Sequence, residues 1–250
     1  MPIPSLTVDE LVSTLKHSNL ATVLVEGDDD VIVYRWIEEK IGVINANVLP
    51  CEGRSNLLAV YKRRSEFSHL NTVFVADKDM WIFTTIPAEY NHNIIWTTGY
   101  SIENDLYAGS NIDEKMLNRN EKIGYHELIK DVIKWFAFEV EQYRNKLPYE
   151  IKFHPQNICI EKQVDPIFLI RRCFSPPNSL TIQEIESDYK LKIRGKLLVK
   201  LFIYYYKDIL KKKAAYNEET LFDVCLKFPD SNPYIEKIIN EISSNLGITT

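Results

Sequence analysis

Residues 22–30 read TVLVEGDDD, a short apolar run that ends in one glutamate and a glycine. A helical periodicity begins directly afterwards, carried by the apolar residues Val31, Val33, Tyr34, Ile37 and Ile41. This order predicts a short buried strand, a tight turn and a helix. The turn puts Glu26 at the carboxyl end of the strand, which is the edge where open α/β sheets carry their functional residues.

Two later apolar runs end in the same way. Residues 72–76 (TVFVA) lead into Asp77-Lys78-Asp79, and residues 94–98 (IIWTT) lead towards the segment 100–105 (YSIEND), which contains Glu103. Carboxylates gathered at one sheet edge repel one another unless a cation lies between them. Because carboxylate oxygens are ligands of hard divalent cations, the sequence predicts a divalent metal site at this edge.

Strand and helix patterns alternate up to residue 77, with a further strand at 47–51 and helices at 6–16 and 56–67. This alternation predicts an α/β fold with a parallel sheet flanked by helices. After residue 110 helical patterns dominate, at 125–146, 194–213, 219–227 and 233–246. We therefore expect an α/β domain over residues 1–110 and a mainly helical region over 111–250. The sequence leaves open whether that region is separate or packs on the sheet.

Composition narrows the class of protein. The 250 residues carry a formal net charge of −5, which argues against indiscriminate coating of nucleic acid but not against a local basic groove. No apolar run approaches the ~18 residues of a membrane span, and no secretory leader is evident. The four cysteines show no metal-ligand spacing, so we expect reduced thiols in a cytoplasmic protein without a membrane segment.

Glu26-Gly27 after one strand and Asp77-Lys78-Asp79 after another resemble the TOPRIM domain of topoisomerases, bacterial primases and OLD-family nucleases. The longer string at residues 25–34, VEGDDDVIVY, with Ser101-Ile102-Glu103-Asn104 downstream, is similar to the stand-alone TOPRIM group of bacterial defence islands. Within that group the chain resembles the AriB-type effectors of PARIS anti-phage systems. The TOPRIM resemblance covers residues 20–107, and a looser match continues at Arg194-Gly195-Lys196.

The resemblance implies roles for individual residues. Glu26, Asp77 and Asp79 correspond to the Mg²⁺ ligands of the family, and Mn²⁺ is an alternative cation. The resemblance adds Glu103 as a further catalytic and metal-binding glutamate and Lys196 as a catalytic lysine. Asp30 is a candidate ligand of a second metal, although acids at a helix start also stabilise the helix dipole. No histidine lies near these motifs, so a metal-activated water is the expected nucleophile.

The same resemblance implies a Mg²⁺-dependent endonuclease that acts as a toxin in anti-phage defence. An ABC-type ATPase partner (AriA-like) would hold it inactive until infection, and the released enzyme, as a homodimer, would cleave host tRNA. Two alternatives stay open at this stage. One is an OLD-like DNA nuclease with the same metal site, and the other is a non-catalytic subunit that binds the ATPase, with the carboxy-terminal helices as the natural partner surface.

Several patterns admit both a structural and a functional interpretation. The turn at residues 52–56 (EGRSN) could bind a phosphate or simply begin a helix. The basic residues at 62–64 suit a solvated helix face or contact with an RNA backbone. The lysines between 190 and 213, interleaved with tyrosines, suit RNA or an acidic partner surface. For Leu198, Leu201, Phe202 and Tyr205, a helix face packed on the core or on a partner is the favoured interpretation. The aromatic run at 135–138 is interpreted as core or as a dimer contact.

Overall fold

The computed structural model describes residues 6–27, 33–34, 36–37, 39, 46–90, 93–213, 216–227 and 231–247. The described chain forms two compact units. The sheet unit consists of the described residues within Met1–Asp77, Ile86–Thr97 and Ser231–Thr250. The helical unit consists of those within Lys78–Thr85 and Thr98–Asp230. The units are therefore interleaved along the chain and do not follow a single division at residue 110.

A four-stranded sheet with the order β2-β1-β3-β4 forms the centre of the sheet unit. Its strands are β1 (Ala21–Val25), β2 (Ala46–Pro50), β3 (Thr72–Ala76) and β4 (Ile94–Trp96). All three pairings are parallel, with Ala21 opposite Ala46, Thr22 opposite Thr72 and Phe74 opposite Ile94. The predicted α/β class with a parallel sheet is thus confirmed, and all carboxyl ends of the strands lie at one edge.

Helices cover this sheet because their apolar residues recur at helical spacing. They are α1 (Val8–Lys16), α2 (Arg54–Lys62) and α12 (Pro233–Asn245), and the described residues within 33–39 are helical too. Thr7 caps α1 in a reciprocal capping box with Glu10. The helix α2 packs on β3, where the ring centres of Tyr61 and Phe74 are 5.2 Å apart. The helix α12 packs against β4.

Helices make up most of the other unit, confirming the prediction of a mainly helical carboxy-terminal region. They are α3 (Ile102–Ser110), α4 (Ile112–Met116), α5 (Arg119–Arg144), α6 (Pro155–Ile158), α7 (Pro166–Arg171), α8 (Ser179–Glu186), α9 (Tyr189–Lys192), α10 (Gly195–Tyr204) and α11 (Glu218–Lys227). A small antiparallel hairpin joins β5 (Cys159–Ile160) and β6 (Gln163–Val164). Among the described helices, none has the length and apolar composition needed to cross a bilayer.

The core of the helical unit forms where α5 and α10 bury aromatic side chains. Trp135, Phe136 and Phe202 are completely buried, and the ring centres of Trp135 and Phe168 lie 5.4 Å apart. Tyr205 is also buried, in a π-helical turn (Tyr205–Ile209) that ends α10 earlier than the sequence indicated. The interpretation of these aromatic residues as core, rather than as surfaces for nucleic-acid bases, is confirmed.

Candidate metal centre

Two carboxylate residues lie next to each other at the carboxyl edge of the sheet. Glu26 follows β1 and Asp77 follows β3, and these two strands are neighbours. The backbone N–H of Asp77 donates a hydrogen bond of 2.9 Å to Oε1 of Glu26. Both residues are half-buried. The parallel order of the sheet therefore brings together two acids that are far apart in the sequence.

The turn after β2 fixes the backbone on both sides of Glu26. The N–H of Cys51 donates to the carbonyl of Val25 at 2.9 Å, and the N–H of Gly53 donates to the carbonyl of Glu26 at 2.5 Å. Gly53 has a φ of 110°, a conformation that side chains disfavour. Two backbone N–H groups of this turn are already used in hydrogen bonds to the end of β1. The interpretation of residues 52–56 as a structural turn is therefore favoured over that of a phosphate-binding turn.

The chemistry of this edge suits a hard cation. Cys51 is completely buried, and its burial, reinforced by the charge of Glu26, raises the pKa of its thiol to about 12. The thiol therefore stays protonated at neutral pH, whereas soft metals favour thiolate ligands. The donors that Glu26 and Asp77 offer are carboxylate oxygens, which are ligands of Mg²⁺ and Mn²⁺. These two residues fit the predicted cation.

Asp79 belongs to the helical unit, where it begins a 3₁₀ turn (Asp79–Phe83). Its φ is 49°, and its N–H donates to the carbonyl of Tyr100 at 2.7 Å. Because β3 ends at Ala76, strand alternation does not set the direction of the Asp79 side chain. Lys78, between the two aspartates, donates a hydrogen bond of 2.9 Å from Nζ to the carbonyl of Thr98. This bond stabilises the backbone of the helical unit, to which Lys78 and Thr98 both belong.

Glu103 lies in the first turn of α3 with only 2% of its surface exposed. Asp105, on the same helix, is buried as well, and its two oxygens accept from the N–H groups of Thr98 and Gly99 at 2.8 and 2.7 Å. Asp105 therefore has a structural role that the sequence did not reveal.

The structure brings the segment that contains Lys196 into contact with Glu103. A Cβ atom on Gly195 would lie 3.0 Å from the Cβ of Glu103 and closer still to Ser101 and Asn104. Lys196 follows directly in the first turn of α10 and is half-buried. Two motifs that are separated by about ninety residues of sequence thus form one local structure in the helical unit.

Another acidic group, Asp113, Glu114 and His126, has ligand atoms within 4.8 Å of one another. Asp113 is buried, however, and already accepts hydrogen bonds of 2.7 Å from the Tyr189 hydroxyl and from Nζ of Lys190. The lysine charge compensates the carboxylate, so this group is a structural ion pair beside a histidine. In the sequence, the histidines show no metal-ligand spacing that would have predicted this group.

Many of the basic residues considered for RNA binding have partners inside the protein. Arg63 pairs with Asp9 and Glu66, and Lys62 approaches Glu89 at 3.6 Å. Further along, Lys200 pairs with Glu218 at 3.3 Å and Lys212 with Glu121 at 2.8 Å. These pairs favour the interpretation of a solvated helix face over that of a continuous basic groove.

The predicted site residues thus separate into two local groups. Glu26 and Asp77 lie at the edge of the sheet unit, and Asp79, Glu103 and Lys196 belong to the helical unit. Asp30 lies outside the described residues. Neither a family model nor a curated protein matches this chain. Joint action of these residues in a single site stays a prediction.

Proposed function

We propose that this protein is a Mg²⁺-dependent endonuclease of the TOPRIM type that acts as a toxin effector in anti-phage defence. The observation that carries the proposal is the contact between Glu26 and Asp77 at the carboxyl edge of a parallel sheet. Each follows a separate strand, which is the arrangement that an acidic metal site on such a sheet requires. The resemblance to TOPRIM nucleases adds the reaction, hydrolysis of a phosphodiester.

Glu26 and Asp77 would hold the cation through their carboxylate oxygens. Bound Mg²⁺ would supply a Lewis acid that activates a water molecule and stabilises the leaving oxygen of the phosphodiester. Their half-burial leaves these carboxylates within reach of solvent and of a polyanionic substrate. The resemblance assigns further acidic roles to Asp79 and Glu103 and a catalytic role to Lys196.

The resemblance also identifies the setting in which this chemistry is used. Host tRNA is the proposed substrate, and an ABC-type ATPase partner restrains the enzyme in the cytoplasm until phage infection. Restraint is physically reasonable because a nuclease with a preformed site would injure its own cell. The active form is proposed to be a homodimer.

The experiment incubates purified protein with total tRNA and with supercoiled plasmid, in Mg²⁺ and in EDTA. Wild type is compared with Glu26→Ala and with Glu89→Ala, an exposed glutamate of the same unit. We expect discrete tRNA fragments with wild type and with Glu89→Ala. Glu26→Ala should reduce the rate by more than about 10²-fold, because it removes a metal ligand. Thermal unfolding of the three proteins checks that each is folded.

Full cleavage by folded Glu26→Ala would defeat the proposed metal site. Nicked plasmid with intact tRNA would replace the RNase with an OLD-like DNA nuclease. When neither substrate is cut, the assay is repeated with the ATPase and its trigger. A continued absence of cleavage, together with tight binding of the ATPase, would overturn the enzymatic proposal in favour of a binding subunit.

A further inference from the structure

Asn104 uses its complete hydrogen-bonding capacity inside the helical unit. Its Oδ1 accepts from the N–H and the hydroxyl of Ser101 at 3.1 and 3.0 Å. Its Nδ2 donates to the carbonyls of Lys190 and Ile193 at 2.7 and 2.8 Å. A carboxamide offers two donor hydrogens and an acceptor oxygen with two lone pairs, and here all of them are used. The side chain therefore links two distant segments in one orientation.

Glycines make the contact between these segments close. A Cβ on Gly195 would lie 2.7 Å from Oδ1 of Asn104, and a Cβ on Gly99 would lie 3.0 Å from the carbonyl oxygen of Leu191. Real Cβ atoms seldom or never approach that closely, so a side chain at either position would push the segments apart. The N–H of Tyr100 adds a hydrogen bond of 2.7 Å to the carbonyl of Leu191.

We infer that Asn104 is a positioning residue that seats residues 190–196 on α3 and thereby sets the place of Lys196 beside Glu103, an inference that rests on the proposed function. Asn104 has no exposed surface, so it acts on a substrate only through the segment that it holds. A displacement of about 1 Å of a reacting group costs about 10²-fold in rate. The hydrogen bonds of Asn104 are thus part of the requirement for cleavage.

The first test is a double-mutant cycle on the cleavage rate with Asn104→Ala, Lys196→Ala and the double variant. We expect Asn104→Ala to lower kcat about 10²-fold, with a much smaller change in KM. In the Lys196→Ala background the same substitution should change kcat by less than about 3-fold, because the group that it positions is already gone. The matched control is Lys200→Ala, a substitution on the same helix. In the Lys200→Ala background, Asn104→Ala should still lower kcat about 10²-fold.

The second test does not depend on activity. Hydrogen exchange is measured for peptides that cover residues 98–104 and 190–198, with a peptide from residues 128–140 of α5 as the reference. Asn104→Asp keeps the size and the acceptor oxygen but replaces the two N–H donors with an oxygen that faces two carbonyls. It should speed exchange about tenfold or more in the first two peptides and leave the reference unchanged.

Each outcome decides a separate question. Multiplicative effects of Asn104→Ala and Lys196→Ala in a cleaving protein would overturn the positioning role. So would unchanged exchange in Asn104→Asp, or exchange that rises equally in the α5 reference, which is the mark of general destabilisation. A folded wild type that cleaves no nucleic acid, with or without its ATPase, defeats the proposed function, and the role in cleavage falls with it. Local exchange then still reports whether Asn104 holds the segment.

Discussion

In the sheet unit, Glu26 and Asp77 lie half-buried at strand ends, whereas in the helical unit Asp105 and Glu139 are completely buried. Glu139 pairs with Arg172 at 2.8 and 2.9 Å and also accepts from Trp135 and from the N–H of Glu150. A carboxylate surrounded by protein donors stabilises the fold, while one that is reachable at a sheet edge can serve a ligand. The comparison contrasts buried acids that support the fold with the two edge acids that we propose as metal ligands.

The largest effect should come from the edge acid Asp77. Asp77→Asn keeps the shape and the backbone N–H that binds Glu26, but it removes a charge that a cation would use. We expect cleavage to fall by more than about 10²-fold and the Mg²⁺ requirement to rise, with the Tm nearly unchanged. Rates at increasing Mg²⁺, measured beside thermal unfolding, test this. A large drop in Tm would make Asp77 a structural acid and break the comparison.

Glu139 should behave in the opposite way. Glu139→Ala leaves Arg172 without its buried partner, which costs about 3–5 kcal/mol in the free energy of unfolding. Glu127→Ala, on the exposed face of the same helix, should change it by less than about 0.5 kcal/mol. Urea denaturation of both variants provides the measurement. Equal stabilities would show that the buried ion pair contributes nothing to this unit.

The sheet could be predicted from the sequence far better than the hydrogen-bond and ion-pair partners of the buried polar residues. Apolar runs that end in Glu26 and Asp77 identify both the strands and the edge, because parallel strands must share a carboxyl end. The roles of Asn104, Asp105 and Glu139 depend on contacts with residues far away in the chain. Nothing local distinguishes them from exposed polar residues on helices. Likewise, the sequence shows the charges of the lysines between 190 and 213. It does not show which carboxylates pair with several of these lysines in the fold.

The labelling rates of the cysteines test the environment of Glu26 at the sheet edge, and the expected effect is smaller. Burial raises the pKa of Cys51 and of Cys159 to about 12, whereas Cys173 is exposed. Iodoacetamide at pH 8 should therefore modify Cys173 first, as followed by peptide mass spectrometry. Because the Glu26 charge also raises the pKa of Cys51, Glu26→Gln should speed labelling of Cys51 by a few-fold and leave Cys159 unaffected. Equal acceleration at both cysteines would indicate general loosening instead.

The smallest effect concerns an exposed carboxylate of the sheet unit. Hydrogen bonds from Arg63 and from Lys16 lower the pKa of Glu66 from 4.5 to about 2. Because the folded state has the lower pKa, this contribution to stability is present above about pH 4.5 and is lost as the pH falls towards 2. Glu66→Gln should lower the Tm by only about 1–2 °C at pH 7 and not at all near pH 2, as measured by calorimetry. An equal loss at both pH values would contradict the assignment.

The interleaving of the two units has a consequence for the order in which the protein is made. The chain passes from one unit to the other at 77/78, 85/86, 97/98 and 230/231, and α12, which packs on β4, is the last described helix. A ribosome must therefore translate residues 233–245 before the sheet that bears Glu26 and Asp77 is covered by α12. We expect arrested nascent chains that lack residues 231–247 to be protease-sensitive and inactive. The proposed nuclease would then become active only after α12 has been translated.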